Sequence, residues 1–409
     1  MNELTARMIL ESLRTGEPEQ DHVLDYTAPL RLESPPLNQM TKHLDDLARG
    51  VSMVRFINGA YGEGKSHTLA LLRRMALNRN FVVSSFPLEA GGVRFDRFDR
   101  VFGKMMECLS AQQHPSSREN KTVLELVIED WARGVTDIDR ALDGMELDPT
   151  IPDMRAAILT YARILTGQEN RDVQGRNRVD LLRHWFMPGP TGLPSPERRL
   201  IGVMNNINTL NAMQMIEGLA LFFRRIGYAG WVVLVDEQEI VPTLMTETQR
   251  DRCNENLRLL LGAANQRGPS RSIYYVFASA PEFFTDPVKG VNAYPALRSR
   301  IMPNAILSLG HLGVEEMRQV CQRLRTIQSC SEPDLRHESL PTDNDIDIFA
   351  SAVEQRFGAV KFKARGFVQS FIALMEERTT SPEAPIAPLV DDVLGRVFSS
   401  IDAKVTAAR

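Results

Sequence analysis

The sequence predicts an α/β fold built on a parallel sheet, and three observations lead there. Val54 to Leu72, VRFINGAYGEGKSHTLALL, joins an apolar run to a glycine-rich loop and then to a helix-forming segment. Trp231 to Glu239, WVVLVDEQE, is an apolar run that ends in acidic residues. Three more short runs rich in β-branched, aromatic or aliphatic residues, Phe81 to Phe86, Ile273 to Ala278 and Ala305 to Leu309, alternate with stretches of helical periodicity, which is the pattern of parallel strands with crossover helices.

Gly59, Gly64, Lys65 and Ser66 match the spacing G-x-x-x-x-G-K-[ST], with Val54 to Asn58 as the preceding strand and Ser66 to Met75 as the following helix. Gly59, Gly62 and Gly64 let the backbone turn through positive φ, so that successive N–H groups point at an anion. The helix beginning near Lys65 adds unsatisfied N–H groups and the positive end of its dipole. The Lys65 ammonium is placed for the β and γ phosphates of a nucleotide, and the Ser66 hydroxyl for Mg²⁺. The candidate nucleotide contacts are therefore Gly59, Ala60, Tyr61, Gly62, Glu63, Gly64, Lys65, Ser66 and His67, with ATP and Mg²⁺ as the expected cofactors.

The second acidic element completes such a site. Asp236 and Glu237 follow the apolar residues of a buried strand and emerge at its carboxyl end, where ligands of parallel sheets bind. Asp236 is the candidate for the Mg²⁺ shell and Glu237 for orienting and deprotonating the attacking water, a Walker B pair. Ser279 stands at the tip of the next strand, either as a sensor of the γ-phosphate or as a turn hydroxyl. Arg298 and Arg300 lie in a loop ahead of the fifth strand, as fingers toward a neighbouring subunit's phosphate or as surface charges. Arg365, at the start of ARGFVQSFIALMEE, is placed either to reach phosphate or to sit solvated at a helix start.

The remaining chain frames these residues. Residues 3–14 and 37–50 read as helices joined by a proline-punctuated connector in which Tyr26 is either an adenine contact or loop packing. Residues 98–110 read as a helix, and 111–200 as an insertion with helices at 121–133, 153–166 and 178–186. Its His114, His184, Trp131 and Trp185 lack metal-ligand spacing. Long helices are expected over 204–226 and about 247–266, and a helical cap over 314–328, 345–357, 364–378 and 389–403. The domains are then 1–50, N-terminal helices; 51–312, the sheet core with its insertion; and 313–409, the cap.

At 409 residues, 43% hydrophobic and 24% charged, the composition is that of a globular protein with a large core. A net charge of −4 gives no overall basic field for nucleic acid, though it leaves room for a local patch. The four cysteines show no C-x-x-C spacing and suit a reducing compartment. The amino terminus lacks a basic-then-apolar signal profile and no apolar run reaches the ~18 residues of a membrane span, so the chain reads as cytoplasmic with no membrane partner.

The two nucleotide motifs, the polar strand tip and the cap arginine together resemble AAA+ ATPases of the origin-recognition branch. More narrowly, RFINGAYGEGKSHTLALL, VVLVDEQEI, YYVFASAPEFFTDPVKGVNAYPALRSRI and KARGFVQSFI resemble the ATP-binding proteins of bacteriophage exclusion (BREX) systems, the BrxD-like family, as do the first 16 residues. The resemblance extends over nearly the whole chain apart from 111–200. It implies a P-loop NTPase with a five-stranded parallel sheet in the order 5-1-4-3-2 and a C-terminal lid. It further implies nucleotide-dependent homo-oligomers acting on DNA or on a defence partner such as a helicase or methyltransferase. Lys65 and Ser66 then bind phosphate and Mg²⁺, Asp236 and Glu237 form the Walker B pair, and Arg365 is the second sensor. One departure is Ser279 followed by Ala280, where such proteins often carry Asn or Thr. Two rival functions remain, an ATP-binding switch or scaffold with little hydrolysis, and a DNA motor or helicase loader, for which no further helicase signature is present.

Overall fold

A computed structural model describes residues 1–15, 24, 35–88, 92–118, 120–145, 152–189, 191–236, 246–264, 272–309, 312–334, 339–361 and 363–407. The chain forms two compact units, one of Met1–Met40, Asn58–Leu71 and Ser308–Arg409, the other of Thr41–Ile57 and Leu72–Leu307. The connector residue Tyr26 lies outside the described residues.

The larger unit is organised by a sheet of β1 (Met53–Asn58), β2 (Val82–Pro87), β3 (Leu109–Ser110), β6 (Trp231–Asp236), β7 (Ile273–Ser279) and β8 (Ile306–Ser308), while β4 (Asp172–Val173) and β5 (Arg176–Asn177) form a separate hairpin. The six strands lie in the order β3-β2-β6-β7-β1-β8. Pairing is parallel between β2 and β6 and between β6 and β7, and antiparallel between β2 and β3. The expected five-stranded, all-parallel sheet is thereby corrected: the order differs from 5-1-4-3-2 by β3, which adds to the β2 edge. The expected helix over 98–110 ends at Glu107, and Leu109 and Ser110 turn outward of it to pair with Ser84 and Val83. Tertiary pairing there overrides a helical periodicity only three residues longer.

Why the central strands sit where they do follows from their side chains. Trp231 to Val235 and all of β7 are buried, so both faces are covered, as a run without polar alternation requires. Trp231 is the largest side chain on β6 and packs edge-on against Phe223, with ring centroids 5.3 Å apart. Its indole N–H donates to the Ser84 hydroxyl of β2 (3.1 Å), which in turn donates to the Met105 carbonyl of the helix Phe98–Glu107 (2.8 Å). This relay satisfies three polar groups inside an apolar layer. On the other side of the sheet order, His43 of the helix Pro35–Ala48 bonds the Tyr274 hydroxyl of β7 at 3.0 Å. Burial, helped by nearby Arg55, pushes the His43 imidazole down to about 4, so it is neutral at pH 7.

The insertion is a helical layer, with helices Val123–Arg133, Ile138–Asp143, Pro152–Leu165, Arg178–Phe186 and Ser195–Leu200. Thr122 and Glu125 form a capping box at its first helix, and the fully buried Glu125 carboxylate also takes a bidentate pair from Arg183 (2.5 and 2.9 Å). Trp185 is a core residue packed on Phe186, and the partly buried Trp131 packs against the core on Phe222. The expected helix over 204–226 is shorter, Ala212–Arg225. Ahead of it, the Asp153 carboxylate accepts from the Met204 and Asn205 amides, and Asn208 and Asn211 bond the neighbouring backbone, which diverts that segment from the helix.

In the smaller unit the helix Glu3–Thr15 packs against Val314–Ser331 and Ala364–Thr380, with Asp343–Lys361 and Ile386–Ala407 completing the cap. Ile9, Leu10, Met317, Leu324, Phe349, Phe367 and Phe371 share its core. Gly358, at φ 50° and ψ −162°, breaks Asp343–Lys361 near its end. Among the described residues no helix is long and apolar enough to cross a membrane.

Ser84→Ala leaves the Trp231 N–H and the Met105 carbonyl unpaired in an apolar layer. The expected cost is about 1–3 kcal/mol, read as a lower thermal unfolding midpoint; an unchanged midpoint would show that the relay carries no stability.

Candidate functional site

β1 ends at Asn58, and the chain turns through residues 59–64, in the smaller unit, into the helix Lys65–Asn78. Gly62 and Gly64 adopt φ of 83° and 93°, the left-handed region that L side chains rarely enter. Lys65 is buried, and its ammonium donates to the loop's own Gly59 carbonyl at 2.9 Å and approaches that of Ala60 at 3.4 Å. Its charge is thus held against the loop before any ligand is considered. The Glu63 carboxylate accepts from the Ala60 amide at 2.8 Å and braces the loop from within. Thr68, nearly fully buried, returns its hydroxyl to the Gly64 carbonyl at 2.9 Å and fixes the first helical turn. Ser66 and His67 stand on that turn, both half-buried.

The cap meets this loop. The amide of Arg365, in the first turn of Ala364–Thr380, donates to the Gly62 carbonyl at 3.0 Å. A helix's first N–H groups have no partner within the helix, and here the loop supplies one. The Arg365 guanidinium donates to the Tyr61 hydroxyl at 2.7 Å and lies with its Cζ 5.2 Å from the centroid of the Tyr61 ring. A Cβ built on Gly62 would stand 3.6 Å from Cβ of Lys363 and 3.7 Å from Cβ of Arg365.

In the larger unit, Asp236 ends β6 and Ser279 ends β7. The two strands are parallel neighbours in register, Val235 opposite Phe277, so the carboxylate and the hydroxyl emerge at the same end of the sheet. The Asp236 carbonyl is fixed by the Leu88 amide at 3.0 Å. The Ser279 hydroxyl is fully buried and has no hydrogen-bond partner among the described residues. Such an atom is costly unless something meets it. Glu237 lies outside the described residues. Arg298 ends the short helix Pro295–Arg298 rather than lying in an open loop, and it is exposed. Arg300 is exposed too, but its Nη1 lies over Gly262 of the helix Glu247–Ala264, 3.0 Å from where a Cβ would stand.

A family model described as BREX system ATP-binding protein BrxC/D matches residues 2–393 of the chain. The chain belongs to that family. Membership in the BrxC/D family assigns it an ATP-binding role in BREX defence. No curated protein matches the chain. The BrxC/D match also covers the helical layer of residues 111–200, which the motifs alone did not reach.

Among the described residues no group of three or more His, Cys, Asp or Glu is arranged to hold a metal ion. Mg²⁺ on a nucleotide needs only one or two protein oxygens beside the phosphates, and Ser66 and Asp236 are of the right chemistry. His114 instead pairs with Asp130 at 2.6 Å. The cysteines are free; burial pushes the Cys253 thiol up to about 12 and that of Cys321 upward.

Gly62→Ala places a side chain at φ 83°, a strain of about 1–2 kcal/mol. ATP affinity measured by calorimetric titration is expected to fall severalfold; unchanged affinity would mean that the loop does not bind in this conformation.

Proposed function

We propose that the chain is an AAA+-type ATPase that binds Mg-ATP on residues 59–67 and hydrolyses it to drive assembly with copies of itself, on DNA or on a defence partner. The observation that carries this reading is the loop itself: a buried lysine and two positive-φ glycines at the head of a helix, in a chain of an ATP-binding family. Within the sheet, β7 alone separates β1, which feeds the loop, from β6, which ends in Asp236.

In this reading the Lys65 ammonium leaves the loop carbonyls for the β and γ phosphates, and the loop amides take the remaining phosphate oxygens. Mg²⁺, held by the Ser66 hydroxyl and the Asp236 carboxylate, supplies charge neutralisation on those oxygens when bound. Glu237 takes the proton of the attacking water, and the Ser279 hydroxyl, buried without a described partner, donates to the terminal phosphate. Arg365 meets the same phosphate from the cap. Arg298 is the finger toward a neighbouring copy, because Arg300 is already laid along Gly262.

Glu237→Gln is expected to retain ATP binding and lose turnover by at least about a hundredfold. Single-turnover hydrolysis measures it; wild-type protein that binds ATP and never turns over would instead mark the chain as an ATP-operated switch. A finger acting across subunits makes a second demand. Arg298→Ala and Lys65→Ala proteins, each inactive alone, should recover turnover when mixed, since one supplies the finger and the other the nucleotide. No recovery in a mixture shown to co-assemble would assign Arg298 to the surface.

A further inference from the structure

Tyr61 stands within the loop of residues 59–64, and its ring and hydroxyl both face one partner on the cap. It is 42% exposed, which leaves it little packing to contribute. What it holds is the Arg365 guanidinium, by a 2.7 Å hydrogen bond to the hydroxyl and by the ring, 5.2 Å from Cζ. A phenol hydroxyl and an aromatic face are together a specific receptor for a planar cation. The neighbouring Gly62 carbonyl fixes the main chain of the same arginine at 3.0 Å. Arg365 is therefore tied to the loop at both its backbone and its side chain, through two successive residues.

A long arginine side chain free to sample its rotamers loses about 2 kcal/mol of conformational entropy when a ligand orders it. One already held beside the loop has met that cost before ATP arrives. We propose that Tyr61 is a positioning residue: it holds Arg365 at the loop so that the guanidinium is delivered to the terminal phosphate of ATP. This rests on the reading above, in which Arg365 meets that phosphate. ADP lacks the terminal phosphate, so it does not draw on the pair, whereas it uses the loop amides and Lys65 as ATP does.

The test is a double-mutant cycle on the full chain, with ATP and ADP affinities measured for Arg365→Ala, Tyr61→Ala, Tyr61→Phe and the double alanine variant. Arg365→Ala is expected to weaken ATP roughly tenfold and to leave ADP unchanged. Tyr61→Ala is expected to reproduce most of that loss, for ATP alone, and to add nothing in the double variant. Tyr61→Phe, which keeps the ring and lacks the hydroxyl, should fall between. An unchanged ATP affinity in Tyr61→Ala, beside a loss in Arg365→Ala, overturns the positioning role and leaves Arg365 in place. A loss of ADP affinity equal to that of ATP in Tyr61→Ala overturns it in favour of a role in loop shape. If Arg365→Ala itself leaves both affinities unchanged, the reading of Arg365 fails and the role of Tyr61 with it.

Discussion

A strand covered on both faces must satisfy every polar side chain along its length from within the protein, as Ser84 and Tyr274 are satisfied, and accommodates a charged one most readily at its end. β6 and β7 are buried along their lengths, and a carboxylate, Asp236, and a hydroxyl, Ser279, come at the last residue of each. Because the two strands run parallel, those last residues fall on one edge of the sheet. Antiparallel pairing would have sent the carboxylate and the hydroxyl to opposite edges. The parallel arrangement itself needs long crossovers, and the helices between the strands supply them.

The phosphate loop obeys a second restriction, that of the backbone. A peptide that turns its N–H inward turns its C=O outward, and the outward carbonyl of Gly62 is not left to solvent. It caps the helix that brings Arg365. Loop shape and cap position are thus two faces of one peptide unit, and the tyrosine beside it extends the tie to a side chain.

Much of this was legible in the sequence because it is local. The glycine spacing around Lys65, the apolar run ending in Asp236 and the break after Gly313 each declare their structure within about ten residues. What stayed illegible was decided by partners distant in the chain. Leu109 and Ser110 continue a helical pattern and are claimed by the edge of β2; residues 204–211 continue another and are claimed by Asp153, some fifty positions earlier. Of the two candidate fingers, only the position of Gly262 distinguishes Arg300 from Arg298. The partnership of Tyr61 with Arg365 spans most of the chain and leaves no trace in either motif.

The helical layer between residues 111 and 200 reads as an addition to a nucleotide-binding core, but the packing denies it that independence. Ile128, Ile158, Trp185 and Phe186 belong to one continuous apolar cluster with Phe56, Val82, Trp231 and Phe277 of the sheet. Its helices pack on Phe98–Glu107, on Ala212–Arg225 and on β3, so excision would open that side of the cluster to water. A variant without this layer would need another covering of equal breadth for the same apolar cluster.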